Sequence, residues 1–199
     1  TDTFAEKCNL RLKALNMTCE LDYTRNFVNF LQSQSESLEE LHLLDSDMNF
    51  HYYRMIFNNF HNVKKLSFYV HRIFNAARVE EVKTLRLPNV TELELYDSCE
   101  ISVVEAIVGI FPNLEVLKLQ VNNFSLLGIL EQLPKLQKLT LTFMRIEMLL
   151  FSTSTTLREV EFIQPWAVLK PLLWEKFAEA FPAIEKMTFK DLESFAMPY

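Results

Sequence analysis

Besides its acidic residues, this sequence has three cysteines and four histidines that could bind a metal ion such as zinc. A zinc site needs several ligands that converge at short range, and paired cysteine ligands are commonly separated by about two to four residues. No cysteine pair and no cluster of histidine, cysteine and acidic residues has that spacing; the residues are Cys8, Cys19, Cys99, His42, His51, His61 and His71. We therefore expect no metal site and no cofactor.

Catalysis would require a nucleophile beside a base, a pair of buried carboxylates or a glycine-rich loop around a phosphate. None of these patterns is present in the sequence. Gly109 and Gly128 are its only glycines, which excludes a phosphate-binding glycine loop. The sequence therefore predicts that the protein is not an enzyme.

The formal charge is −6 and the pI about 5.3. Nucleic-acid affinity depends on lysine and arginine neutralising phosphates, so we expect no nucleic-acid partner. No apolar run reaches the roughly 18 to 20 residues of a membrane helix, so we expect no membrane partner. Residues 1–7 lack a signal-peptide pattern, and three cysteines do not form a disulfide framework; both observations favour the cytoplasm or nucleus. The glycosylation triplets at Asn16, Asn89 and Asn123 leave secretion as the alternative.

Eight copies of one apolar pattern run through the chain, 21 to 27 residues apart. Each copy has an apolar residue, two variable residues, an apolar residue, one variable residue and a third apolar residue. The last two apolar positions alternate with polar ones, which is the period of a strand with one buried face. Strands repeated at this interval in one direction must stack in parallel, as in a solenoid. The copies are Leu12/Leu15/Met17, Leu38/Leu41/Leu43, Val63/Leu66/Phe68, Val90/Leu93/Leu95, Leu114/Leu117/Leu119, Leu136/Leu139/Leu141, Leu157/Val160/Phe162 and Ile184/Met187/Phe189.

The segments that return from strand to strand are predicted to be mainly helical. Helical spacing or capping patterns predict helices over 50–60, 102–111, 124–133 and 171–181, the second capped by Ser102. We expect a loop or a single turn over 144–156. A proline or its equivalent stops the helix before most strands, as in Phe111-Pro-Asn-Leu114. The segment 82–87 also fits the strand pattern, but it lies too close to the next copy, so we assign the strand to 90–96.

These repeats resemble those of leucine-rich repeat (LRR) proteins, and their variable length with Pro-Asn-Leu junctions is most similar to the LRR region of F-box/LRR substrate receptors. The resemblance implies an α/β fold: a right-handed solenoid curved into a horseshoe arc, with a parallel sheet on the concave face and helices and loops on the convex side. The asparagine typical of such repeats is kept only at Asn122. No F-box motif precedes Leu12, and little covers the first copy. We therefore expect residues 1–199 to be a single LRR solenoid domain, a fragment of a longer chain.

The polar strand positions should lie in rows on the concave face. The first row alternates in charge and includes Glu40 and Glu92, while Glu94 should lie beside Lys118 in the second, which also contains His42. The last row brings Leu44, Tyr69 and Tyr96 onto successive strands, an aromatic and apolar cluster typical of binding anchors. A polar sheet that satisfies its own charges, with a loop or further segment covering the cluster, is the alternative.

We interpret these residues as a partner-binding surface. The predicted function is non-catalytic protein–protein recognition, like that of the substrate-binding LRR region of an F-box-type ubiquitin-ligase receptor. An extracellular LRR recognition or immune-type binding module is the alternative. The isolated domain is expected to be monomeric, with a protein partner that the sequence does not name.

Overall fold

Eight short strands form one parallel sheet in which the strand order follows the chain order. The computed structural model describes residues 10–18, 25–44, 50–70, 79–96, 101–120, 127–142, 153–163 and 171–190. Each strand overlaps one copy of the apolar pattern, so the predicted parallel sheet is confirmed. The strands are β1 Ala14–Met17, β2 Glu40–Leu43, β3 Lys65–Tyr69, β4 Glu92–Tyr96, β5 Val116–Gln120, β6 Lys138–Thr142, β7 Glu159–Ile163 and β8 Lys186–Lys190.

The two faces of the sheet differ in burial because apolar and polar side chains alternate along each strand. In β5, Leu117 and Leu119 are buried, whereas Val116, Lys118 and Gln120 are partly or fully exposed. The same alternation holds in β2, β4 and β7. The apolar face packs into one hydrophobic cluster with residues of the returning segments. We call the other side of the sheet the open face.

The returning segments are mainly helical. Predicted helices are confirmed at Phe50–Asn59, at Ile101–Val108, at Leu127–Glu131 within the described part of the predicted segment 124–133, and at Pro171–Ala180. A helix over Arg25–Ser33 was not predicted from the sequence. In chain order the helices are α1 Arg25–Ser33, α2 Phe50–Asn59, α3 Val79–Val82, α4 Ile101–Val108, α5 Leu127–Glu131 and α6 Pro171–Ala180.

Some details of the returning segments differ from the predictions. Helix α4 begins at Ile101, so Ser102 is its second residue rather than the residue before it. The segment 82–87 contains the end of α3 and the buried residues Leu85 and Leu87, and it forms no strand. Residues 153–156 lie outside regular structure as predicted, while 144–152 lie outside the described residues, as do Asn122 and the equivalent position of every other copy.

Aromatic residues fill the space between helices and sheet. Tyr53 and Phe57 of α2 lie 5.4 and 5.9 Å, between ring centroids, from Phe68 of β3. Phe111, at the end of the α4 segment, lies 6.4 Å from Phe57. All four side chains are at most 1% exposed. Phe57, Phe111 and Phe177, all from returning segments, are buried in this interior.

The junctions before β3, β4 and β5 share an asparagine that bonds to the preceding repeat. The side-chain amides of Asn62, Asn89 and Asn113 donate hydrogen bonds to backbone carbonyls one repeat earlier, at Glu36, His61 and Pro88. The donor–acceptor distances are 2.8, 2.6 and 2.8 Å. These bonds tie successive turns together beyond the sheet itself. In the parts of the chain that are described, no helix is long and apolar enough to span a bilayer.

Candidate interaction surface on the open face

The open face is built from side chains that stand in three rows across the strands. In the first row, Ala14, Glu40, Lys65 and Glu92 are Cα partners in sequence, followed by Val116, Lys138, Glu159 and Lys186. This register is the one predicted from the repeat pattern. It fixes which charges face each other, because adjacent strands are only about 4.8 Å apart.

The charged residues of the first row form two groups of ion pairs. Lys65 Nζ lies 3.7 Å from a Glu40 carboxylate oxygen and 3.6 Å from one of Glu92. On the far side of Val116, Glu159 lies 3.3 Å from Lys138 and 3.9 Å from Lys186. Such partly exposed pairs contribute about 0 to 1 kcal/mol each, so they add little to the stability of the fold.

The second row combines hydrogen bonds with two further ion pairs. His42 Nδ1 lies 2.9 Å from the hydroxyl of Ser67 on the next strand. Glu94 and Lys118 are Cα partners with 3.6 Å between carboxylate and ammonium, as predicted. Ser67 is itself buried, which ties His42 to the sheet.

Glu161 is the least exposed carboxylate among the ion pairs of this face. Its side chain is 18% exposed and lies 2.5 Å from Lys190 Nζ. It also accepts a hydrogen bond of 3.3 Å from the hydroxyl of Thr140. The hydrogen bond from Lys190 is the main cause that lowers the pKa of Glu161, against the opposing effect of burial. Glu161 therefore stays ionised at neutral pH and forms a fixed negative point on the face.

The third row contains the predicted aromatic cluster. Tyr69 and Tyr96 are Cα partners, and their ring centroids lie 5.4 Å apart with the planes tilted by 44°. Both side chains are half-buried. Leu44 follows Leu43, the partner of Phe68, and so lies in the same row as Tyr69; it too is half-buried.

Tyr96 links this row to the charged one beside it. Burial is the main cause that raises the pKa of its phenol, and a hydrogen bond to Glu94 adds to the effect. The Glu94 carboxylate, which also faces Lys118, is therefore close enough to Tyr96 to disfavour its phenolate. The three residues form one connected polar group beside an aromatic ring.

A depression of about 410 Å³ begins at this group and extends across the sheet to β8. Its walls carry Glu94, Tyr96 and Lys118 at one end, and Glu161 and Lys190 at the other. Its middle is lined by the small or uncharged side chains of Gln120, Thr140, Thr142 and Ile163. The sequence-based proposal included the first end and missed the second, because nothing in a list of row residues shows that small side chains leave a hollow between larger ones.

A separate charged group borders the open face at the start of the strands. Glu39 accepts hydrogen bonds from Lys13 and Lys64, at 2.5 and 2.8 Å. These bonds are the leading causes that hold the pKa of Glu39 at about 2. This group stands one residue before the first row and shows the same pairing of acidic and basic side chains on neighbouring strands.

The structure thus brings Glu40, His42, Glu92, Glu94 and Lys118 onto one face with the cluster of Leu44, Tyr69 and Tyr96. Within the described ranges, no three histidine, cysteine, aspartate or glutamate side chains are grouped so that they could hold a metal. No model of a known protein family matches the chain. No curated protein matches it either.

Proposed function

We propose that this chain is a non-catalytic protein-recognition module, a right-handed leucine-rich repeat solenoid whose open face is the concave side of a horseshoe arc. The eight in-register strands with apolar residues at fixed positions support the repeat type. The charged and aromatic rows of the open face support recognition. In this proposal the helices α1 to α6 belong to the convex side and serve to hold the strands in place.

The contact between Tyr69 and Tyr96, at the edge of the depression, is the observation that carries the proposal. The ion pairs of the face satisfy one another and need no partner. The rings of two adjacent half-buried tyrosines, by contrast, leave apolar surface in contact with water. Tyrosine also supplies a large contact area at protein interfaces. The adjoining depression offers space for a partner side chain that packs against the Tyr96 ring.

The role closest to the sequence resemblance is that of the substrate-binding part of an F-box-type ubiquitin-ligase receptor, in the cytoplasm or nucleus. Two features fit this role. The repeats are irregular in length, and a connected group of Glu94, Tyr96 and Lys118 offers both polar and aromatic contacts. In this proposal the isolated chain is monomeric and takes no cofactor.

Affinity capture from cell extract, with identification of the bound proteins, tests the proposal. The variant Tyr69→Ala/Tyr96→Ala should lose the proteins retained by the wild-type chain, because it removes the aromatic contact but no residue of the hydrophobic core. Tyr52→Ala is the control, since Tyr52 of α2 packs against the hydrophobic core, on the side of the sheet opposite to the open face. Unchanged capture by the double variant, with both proteins melting cooperatively, would exclude the contact between Tyr69 and Tyr96 as the binding anchor.

A further inference from the structure

The first row of the open face is divided by Val116 into two groups of opposite net charge. Glu40, Lys65 and Glu92 stand on β2 to β4 and carry one net negative charge. Lys138, Glu159 and Lys186 stand on β6 to β8 and carry one net positive charge. Val116 on β5 is uncharged. The row is therefore negative over β2–β4, uncharged at β5 and positive over β6–β8.

The second and third rows do not cancel this separation. Glu94 on β4 faces Lys118 on β5, and Glu161 faces Lys190 within the β7–β8 region. Each of these pairs is neutral overall. In the first pair the carboxylate of Glu94 stands on β4, at the negative end of the first row. The group of Lys13, Glu39 and Lys64 stands one position before the first row, at the rim, and carries one net positive charge. Counted together with the first row and Glu94, strands β1 to β4 still carry one net negative charge.

We propose that the open face binds an extended peptide segment that crosses the strands, with basic residues over β2–β4, an uncharged middle over Val116 and acidic residues over β6–β8. The inference rests on the proposed recognition function and adds the charge pattern of the partner. Complementary potentials of this kind fix the register of a partner and suppress wrong ones. The depression beside Tyr96 lies next to the uncharged middle, where a partner aromatic side chain fits.

The sheet also sets the spacing of the charges in the partner. Lys65 and Glu159 are the central residues of the two groups, and they stand on β3 and β7, four strand spacings apart. At about 4.8 Å per spacing this is about 19 Å. An extended chain advances about 3.3 Å per residue, so the basic and acidic centres of the segment should stand about six residues apart.

Two end-blocked peptides of identical composition test the charge pattern. The first, Lys-Lys-Ser-Tyr-Ser-Ser-Glu-Glu, places its basic and acidic centres six residues apart. The second, Lys-Glu-Ser-Tyr-Ser-Ser-Lys-Glu, has neutral ends. Titration at low ionic strength should give a Kd about threefold lower for the first peptide, since each exposed charge contact is weak. The difference should shrink when salt is raised to about 0.5 M, because screening shortens the range of the interaction.

Two double variants, each removing one acid and one base from the first row, provide the matched pair. Glu92→Gln/Lys138→Gln leaves both groups neutral, so the preference for the first peptide should disappear. Lys65→Gln/Glu159→Gln doubles the net charge of each group, so the preference should increase. The net charge of the protein is the same in both variants, which separates the placement of charge from its total.

The outcomes separate this inference from the proposed function. Equal Kd values for the two peptides with the wild-type chain, or equal behaviour of the two variants, would overturn the charge pattern and leave recognition through Tyr69 and Tyr96 intact. Absence of binding by both peptides at millimolar concentration would overturn an extended peptide as the occupant. Two copies of the row that run in opposite directions also have matching charges. A concentration-dependent dimer that is detected by light scattering and lost in Glu92→Gln/Lys138→Gln would therefore identify a second copy of the chain, and not a peptide, as the occupant of the open face.

Discussion

The ring centroids of Tyr69 and Tyr96 lie 5.4 Å apart, and the carboxylate of Glu94 helps to raise the pKa of the Tyr96 phenol. One side chain therefore joins the aromatic row of the open face to its charged row. This contact crosses two repeats, since Tyr69 belongs to β3 and Tyr96 to β4. It makes the position of the aromatic ring dependent on a carboxylate one row away.

We expect Tyr96 to ionise at a higher pH than a free tyrosine, because burial and the nearby Glu94 both disfavour the phenolate. A raised pKa in the folded state stabilises the fold at pH values below about 10, and this contribution is lost as the pH rises above that value. Ultraviolet titration of the wild type against Tyr96→Phe isolates the transition of this residue. Glu94→Gln should lower the pKa of Tyr96; an unchanged transition in that variant would contradict the hydrogen bond.

Glu39 should give the fold a pH-dependent contribution of the opposite sign. Its pKa is lowered from 4.5 to about 2 by Lys13 and Lys64. A lowered pKa stabilises the folded state above about pH 4.5, and this contribution is lost as the pH falls toward 2. The difference in urea midpoint between wild type and Glu39→Gln should therefore narrow over that range. High salt should also reduce it, because the three side chains are exposed; a difference that is constant with pH would argue against the two lysine contacts.

Leu117→Asp should prevent folding. Leu117 is 0% exposed in the centre of β5, and burial of a leucine contributes about 1.5 to 3 kcal/mol, which is replaced here by an unpaired buried charge. Circular dichroism should show loss of the cooperative thermal transition. Val116→Asp is the matched control, since it introduces the same residue one position earlier on the open face. A melt of Leu117→Asp that matches the wild type would mean that the two faces of β5 are assigned wrongly.

Asn113→Asp should destabilise the fold by about 1 kcal/mol, the usual net contribution of a hydrogen bond. The change removes the amide that donates to the Pro88 carbonyl at 2.8 Å and keeps an oxygen for Lys135. The urea midpoint should fall with an unchanged slope. Lys135→Ala serves as the control, because it removes only the second, exposed contact and should have a smaller effect. Equal stability of Asn113→Asp and wild type would show that these junction bonds do not hold the repeats together.

The repeat pattern predicted the parallel sheet and its register to the level of single side-chain pairs. The match of Glu94 with Lys118, and of Tyr69 with Tyr96, followed from the equivalent positions that they occupy in successive copies. Register could be read in this way because a shift of one residue would move every apolar side chain of a strand to the open face. The sequence analysis did not predict helix α1, because the apolar pattern of a strand carries no information on the segment that follows that strand.

The sequence by itself determined the strand positions, the parallel order and the buried face, because these follow from apolar residues recurring at fixed intervals. Only the tertiary structure decided how far apart the paired charges of the open face lie, that Glu94 acts on the phenol of Tyr96, and that a hollow extends from Tyr96 to Lys190. It also showed the junction bonds of Asn62, Asn89 and Asn113. These features depend on side-chain length and direction across neighbouring turns, and a one-dimensional pattern does not specify either.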